Sequence, residues 1–293
     1  MIPFAEALAG RKILVFDGAT GTQITARGGD HGPVAPAANL NCSEIVAAIH
    51  ADYRDAGANI LLTNTLTANR ISLEHAGLAD KLEEINRVGV ELCRKAAAGQ
   101  CYVCGDMTST GKFMEPLGDY TEQQFYDNAV EQAAILGRGG VDCIIIETMT
   151  DVREACISVR AAKDATGLPV LCGIAFDPAA GDFRTMMGDT VEKAVKDLTE
   201  AGAEAIGANC GTIDPFEASR VIERMRALTG LPLAAEPNAG KPELAAGQVL
   251  FRLGPEEFAD GMAKCVEAGA TLVGGCCGTT PAHIAALVAR LRS

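Results

Sequence analysis

Residues 255–281 read PEEFADGMAKCVEAGATLVGGCCGTTP, and this stretch holds one whole structural period of the chain. Pro255–Ala268 has apolar residues at helical spacing and opens on a proline, which suits the first turn of a helix. Ala268-Gly269-Ala270 follows, where a glycine can take the left-handed conformation that ends a helix. Thr271–Gly275 is short, nearly continuous in apolarity and rich in small or β-branched residues. That is the pattern of a parallel strand buried on both faces. Two adjacent cysteines then lead into a further helical run, Pro281–Leu291.

The same period runs back through the chain. Ile13–Phe16, Ile60–Thr63, Tyr102–Asp106, Cys143–Glu147, Val170–Ala175, Ala205–Ala208 and Leu231–Glu236 predict seven further strands. Between them, Ser43–Ala56, Lys81–Ala98, Thr121–Gly137, Val152–Ala165, Thr190–Ala201 and Pro215–Leu228 predict helices, with Ser43, Thr121, Asp151, Asp214 and Thr280 as expected caps. Ala56-Gly57-Ala58 and Ala201-Gly202-Ala203 repeat the helix-to-strand joint, and Gly139-Gly140-Val141 plays the same part. The spacing predicts an α/β fold, a (β/α)8 TIM barrel, as a single domain over residues 1–293. A doubly wound open sheet is the competing arrangement. Gly18-Ala19-Thr20-Gly21 after the first strand lacks the GxGxxG spacing of a dinucleotide site, and no Walker A sequence occurs. The Gly28–Asn41 insert reads as a loop over the barrel mouth, either a lid or substrate contact or a passive connection.

Hydrophobic residues make up 48% and charged residues 22% of the chain, as in a well-packed globule. The net charge of −13 repels phosphate backbones, so no nucleic acid partner is expected. No run of about 18 uncharged apolar residues marks a membrane span. Met1–Arg11 does not read as a secretory signal, and a cytoplasmic location is expected. In such a compartment the eleven cysteines suggest core packing plus metal or catalytic thiols. Cys42, Cys93, Cys143, Cys156, Cys172 and Cys265 sit in apolar or helical surroundings and read as small core residues. Cys101-x-x-Cys104 can be read as a redox pair or a second metal half-site. It lacks a partner pair at zinc spacing, and Cys104 falls inside a strand, so the structural reading is preferred.

In a barrel of this kind chemistry gathers where strands end. Those positions hold Asp17, Asn64, Asp106, Glu147, Cys210, Glu236, Asn238, Cys276 and Cys277. Adjacent Cys276 and Cys277 can ligate one metal, because neighbouring Cα atoms about 3.8 Å apart match two corners of a tetrahedron with Zn–S of about 2.3 Å. A straight strand would point them apart, so the chain must bend, as the flanking glycines permit. Cys210 at the end of the sixth strand supplies a third thiol. Three thiolates leave one zinc position open, the form of a catalytic site. Buried core thiols are the competing reading. Zinc with three thiolates is net negative and poorly suited to making hydroxide. It suits the capture of a substrate thiol as thiolate, and alkyl transfer to sulfur is the natural reaction.

Asp17-Gly18-Ala19-Thr20-Gly21-Thr22, Thr63-Asn64-Thr65, Glu147-Thr148, Asn209-Cys210, Glu236-Pro237-Asn238-Ala239-Gly240 and Gly274–Pro281 occur in this order. From about Lys12 to Leu291 the set resembles the homocysteine S-methyltransferase family, most of all the homocysteine-binding module of the cobalamin-dependent methionine synthases. The resemblance implies zinc (Zn2+) on Cys210, Cys276 and Cys277, homocysteine as methyl acceptor and methionine as product. It further implies that backbone N–H groups of Gly18, Ala19 and Thr20 receive the homocysteine carboxylate, that Glu147, with Asp17, binds its ammonium, and that Asn64 contacts substrate. Turn or cap duty for Asp17 and an ion-pair role for Glu147 stay open. Asn238 is a candidate neutral oxygen ligand that fills the open zinc position before substrate arrives, or else a turn former before Ala-Gly.

The methyl donor is less marked. The chain has no Trp and four Tyr (Tyr53, Tyr102, Tyr120 and Tyr126). Met149 and Leu66 stand where a cage for the quaternary ammonium of betaine would need aromatic faces, so betaine is disfavoured. No DxHxxG corrinoid signature occurs on the chain. A methylcobalamin donor is therefore expected from a separate corrinoid-carrying protein. Thr108-Ser109 stands where the multidomain relatives commonly carry Gly-Pro. Betaine, S-methylmethionine or another sulfonium as donor, a different thiol as acceptor, and a zinc- or thiol-binding subunit without activity are the alternatives.

Overall fold

Eight strands form one sheet: β1 (Leu14–Val15), β2 (Ile60–Leu62), β3 (Tyr102–Thr108), β4 (Cys143–Met149), β5 (Val170–Ile174), β6 (Ala205–Asn209), β7 (Leu233–Glu236) and β8 (Leu272–Val273). The computed structural model describes residues 1–179, 181–245 and 248–292 of the 293-residue chain. Neighbouring strands follow the order β1-β8-β7-β6-β5-β4-β3-β2, all in parallel. A parallel bridge between Phe16 and Ile60 joins β1 to β2 and closes the ring. A doubly wound sheet would reverse its strand order part-way. This order runs around without reversal, so the fold is the (β/α)8 barrel.

The connecting helices are α1 (Ser43–Asp55), α2 (Leu82–Ala97), α3 (Glu122–Arg138), α4 (Val152–Thr166), α5 (Val191–Ala201), α6 (Pro215–Leu228), α7 (Pro255–Glu267) and α8 (Pro281–Arg292). Thr121 and Asp214 form capping boxes with Gln124 and Glu217, and Asp151 accepts from the N–H groups of Arg153 and Glu154. Ser43 departs from expectation. It is the first helical residue, and Cys42 holds the cap position without a side-chain bond. The joints behave as read, with φ of +102° at Gly57, +83° at Gly140, +90° at Gly202 and +110° at Gly269.

Side chains alternate along each strand. On one face, Phe16, Ile60, Leu62, Tyr102, Cys104, Cys143, Ile145, Leu171 and Leu272 fill the barrel axis. Phe4 and Leu8 of the short helix Phe4–Ala9 join them, with the Phe4 and Tyr102 rings edge to face at 5.2 Å. On the other face, Leu61, Val103, Ile144, Ile146 and Ile206 pack under the helices. Cys101 and Cys104 fall on opposite faces. The Cys101 thiol donates to the Ala58 carbonyl at 3.2 Å, and Cys104 joins the axial cluster. Both are packing residues. Cys93, Cys143, Cys156, Cys172 and Cys265 are buried as expected, whereas Cys42 is half-buried.

Alternation along β3 and β4 also raises chemistry to the rim. Tyr102, Cys104 and Asp106 share one face, as do Cys143, Ile145 and Glu147. The axis thus turns from apolar to acidic toward the strands' C-terminal ends. Two antiparallel hairpins unforeseen in the sequence sit in the loops after β5 (Asp177–Ala179 with Asp182–Arg184) and β7 (Glu243–Ala245 with Gln248–Leu250). The loop after β1 carries short helical turns at Ala35–Ala37 and Ala38–Asn41. Among the described residues no helix is long and apolar enough to cross a membrane.

Candidate active site

Cys210 leaves β6 with φ of +52°, a conformation uncommon for a residue with a side chain. Its N–H donates to the Glu236 carbonyl at 3.1 Å, so β7 holds the turn in place. Beyond β8, the Gly274 N–H reaches the Ala235 carbonyl at 3.0 Å and the Gly275 N–H reaches the Asp17 carbonyl at 3.1 Å. The next residues bend. Cys276 donates to Pro237 at 2.9 Å, the Cys277 carbonyl accepts from Ala239 at 3.0 Å, and Gly278 takes φ of +79°. This bend brings two successive thiols together, as the sequence required.

The sulfurs of Cys210, Cys276 and Cys277 all lie within 4.8 Å of one another. Corners of a tetrahedron with Zn–S of about 2.3 Å stand about 3.8 Å apart, so the cluster fits a soft divalent metal with little movement. Thiol–thiol hydrogen bonds from Cys210 and Cys276 hold Cys277 below the usual thiol range, and Cys276 is pushed above it by its bonds to the other two. The Asn238 Nδ2 donates to the Gly211 carbonyl at 2.9 Å, while its buried Oδ1 has no hydrogen-bond partner. An orphaned buried amide oxygen is costly, and a cation would satisfy it. The donor set therefore fits zinc.

Cys276 and Cys277 line a cavity of about 350 Å³, whereas Cys210 is not among its lining residues. Gly18–Thr22 and Asn64 form other parts of its wall, Asp106 and Glu147 add carboxyl groups, and His31 and Ala35 of the long loop complete it. The loop is thus a cavity wall and not a passive connection. Among the described residues, those lining the cavity include no Lys, Arg, Phe, Tyr or Trp.

Each expected site residue has a definite place. Gly18, Ala19 and Thr20 line the cavity, but the Ala19 N–H is taken by Thr279 Oγ1 at 3.0 Å. The Gly18 and Thr20 N–H groups have no partner among the described residues. Asn64 spends both amide protons on the loop, donating to Ala35 O at 3.0 Å and to Asn39 Oδ1 at 2.9 Å, so only its oxygen is left for a ligand. Asp17 is buried beside the β1–β2 seam, where its Oδ2 accepts from the Leu62 N–H at 3.0 Å, and it does not line the cavity. Its other oxygen has no partner, and burial pushes its carboxyl well above the usual range.

Glu147 lines the cavity and accepts from Asn209 Nδ2 at 2.5 Å. Burial, reinforced by the charge of Cys210, pushes Glu147 up to about 7, with a bond to Asp106 working the other way. Burial also raises Asp106 and Glu236 well above the carboxylate range, and the carboxyls repel one another. Asp106 and Glu147 thus line the cavity, with Asp17 and Glu236 buried close enough to repel them, and no Lys or Arg lines it among the described residues, a setting that favours an ammonium group.

Sequence reasoning gave no role to Tyr53, and it gave none to the Asn209 and Thr279 side chains, although both stood inside recognised motifs. Tyr53 reaches the site from α1, where nothing in the local pattern sets it apart from a core aromatic.

A family model described as homocysteine S-methyltransferase matches residues 14–291. The chain belongs to that family. It is 31% identical over 305 aligned residues to a methionine synthase of Mycobacterium tuberculosis, covering 96% of this chain and 25% of that protein. The chain thus spans about a quarter of the length of that methionine synthase. A betaine–homocysteine S-methyltransferase of Bos taurus is 28% identical over 98% of this chain and 74% of its own length. Among solved structures, the metallated homocysteine methyltransferase MmuM of Escherichia coli superposes with a TM-score of 0.79 at 26% identity, covering 99% of this chain and all of that one.

Proposed function

We propose that this homocysteine S-methyltransferase family member transfers a methyl group to the sulfur of homocysteine, giving methionine. The observation that carries the reading is one cavity bordered by thiols, by unpaired backbone N–H groups and by carboxyls. Those three surfaces match the thiol, the carboxylate and the ammonium of one amino acid.

Zinc held by Cys210, Cys276 and Cys277, with Asn238 completing the set before substrate arrives, would keep the acceptor sulfur as a thiolate near neutral pH. The Gly18 and Thr20 N–H groups receive the carboxylate, and Ala19 between them is braced by Thr279. Glu147, oriented by Asn209, takes the ammonium, which relieves the repulsion among the buried acids. Asp17 supports this at one remove, by bracing the β1–β2 seam. Asn64 holds the loop over the cavity and offers its oxygen inward. The sulfur then attacks the methyl carbon in line. The S–C bond forms as the bond to the donor breaks, and the donor leaves with that electron pair.

Methylcobalamin on a separate corrinoid-carrying protein is the proposed donor, supported by the similarity to methionine synthases. The absence of Phe, Tyr and Trp rings among the described lining residues argues against betaine, whose quaternary ammonium is held by such faces. A sulfonium such as S-methylmethionine is the second reading, favoured by the acidic lining of Asp106 and Glu147. Three reduced thiols suit a cytoplasmic setting, where the reaction is proposed to occur.

The test is to load the protein with zinc, add homocysteine, and offer methylcobalamin, glycine betaine, S-methylmethionine and dimethylsulfoniopropionate in turn. Methionine is expected from methylcobalamin or a sulfonium. No thiol-dependent methyl transfer from any of the four would overturn the proposal.

A further inference from the structure

Thr279 is fully buried, and its hydroxyl works in two directions. Oγ1 accepts from the Ala19 N–H at 3.0 Å and donates to the Cys276 carbonyl at 2.7 Å. Behind it, the Tyr53 hydroxyl lies 2.9 Å from the Ala19 carbonyl and 3.2 Å from the Thr279 carbonyl, and shares its proton between them. Two backbone segments at opposite ends of the sequence therefore meet on one threonine side chain, 260 positions from Ala19.

The packing leaves that side chain no slack. A Cβ at Gly18 would lie 2.5 Å from Thr279 Oγ1, and a Cβ at Gly275 would lie 2.5 Å from Thr279 Cγ2. Contacts so short do not occur in packed proteins, so both glycines are required by the threonine between them. The Gly275 N–H also pairs with the Asp17 carbonyl at 3.1 Å. The Gly18–Thr20 turn and the Cys276–Cys277 turn thus form one rigid joint.

We infer that Thr279, backed by Tyr53, is a positioning residue that fixes the span between the carboxylate-binding turn and the thiol cluster, and so selects acceptor chain length. This rests on the proposed homocysteine reading. An amino-acid thiol held at both ends must fit that span. Cysteine lacks one methylene and falls short by about one carbon–carbon bond, ~1.5 Å. A site that flexes could close the gap, but this joint does not. One methylene in a fixed pocket discriminates by about 10–200-fold, and tying two weak contacts to one rigid frame makes their affinities multiply.

The experiment uses zinc-loaded protein and calorimetric binding of homocysteine, cysteine and 3-aminopropane-1-thiol, which keeps the thiol and amine of homocysteine without its carboxylate. Thr279→Val keeps the shape and loses both hydroxyl bonds, whereas Thr279→Ser keeps the hydroxyl. Thr279→Val is expected to weaken homocysteine about tenfold or more, to narrow its preference over cysteine, and to leave the carboxylate-free thiol within about twofold. Thr279→Ser should restore most of the preference. Tyr53→Phe removes only the rear hydroxyl and should shift the same ratio by a smaller factor, which gives a second readout if Thr279→Val folds poorly. Equal weakening of homocysteine and the carboxylate-free thiol in both Thr279→Val and Tyr53→Phe would overturn the inference, as would an unchanged ratio in both. A wild-type protein that binds the carboxylate-free thiol as tightly as homocysteine would also overturn it, with the methyl-transfer reading left standing. Wild-type protein that binds no thiol would sink both together.

Discussion

Asn209 shows how much one amide can organise. Its Nδ2 donates to Glu147 Oε2 at 2.5 Å and to Thr148 Oγ1 at 2.8 Å, and its Oδ1 accepts from the Thr148 N–H at 2.8 Å. Thr148 itself sits at φ of +57°, so the amide holds a strained turn next to the carboxylate it orients. Gly173 makes room for it, since a Cβ there would lie 2.6 Å from Asn209 Oδ1. Asn209→Ala strands the Thr148 N–H and one Glu147 oxygen, at about 1–3 kcal/mol for each buried group left unpaired. The KM for homocysteine should rise by about ten- to a hundredfold with zinc content retained. An unchanged KM would count against the ammonium role of Glu147. The cysteines were legible because adjacency and strand-end placement limit what thiols can do. The duty of Asn209 was not, because its partner Glu147 lies 62 positions away and no spacing rule connects them.

Helix α1 buries Val46, Ile49, His50 and Tyr53, the i, i+3, i+4, i+7 stripe of an amphipathic helix. One residue of that stripe serves the site, and another carries a liability. Both ring nitrogens of His50 are buried without a hydrogen-bond partner, and burial pushes its pKa down to about 4. Because the folded value lies below the ordinary one of about 6.5, protons bind the unfolded chain first. The stability tied to neutral His50 is present above about pH 6.5 and drains away as pH falls toward 4, by an amount on the order of 3 kcal/mol. In His50→Leu that loss disappears. Denaturation midpoints should therefore shift in favour of the variant as pH drops through this window. A difference that stays constant with pH would refute the assignment. Helices and barrel strands were legible from periodicity and glycine joints, with ends placed to within two residues. The hairpins after β5 and β7 were not. Their strands are three residues each, and Asp177–Ala179 and Asp182–Arg184 are too short and polar to show an alternating apolar face.

The barrel as a unit explains why these parts meet. Parallel strands deliver all their C-terminal ends to one face. The axial side chains change along that direction from Phe, Leu and Ile to Asp106, Glu147 and Glu236. The three thiols come from the ends of β6 and β8, and Asn238 from the end of β7 between them. Asp106, Glu147, the Gly18–Thr20 turn, Cys276 and Cys277 therefore line one cavity although the sequence scatters them from Gly18 to Cys277, and Cys210 joins the other two thiols beside it. The sequence could place each at a strand end, but it could not say that the Ala19 amide or the Asn64 protons were already engaged. The central claim is that Cys210, Cys276 and Cys277 hold zinc with one position left for the acceptor sulfur. X-ray absorption at the zinc edge tests it most directly. Three sulfur neighbours and one lighter atom are expected in the protein alone, rising to four sulfurs when homocysteine is added. A sulfur count that stays the same on adding homocysteine would contradict the account.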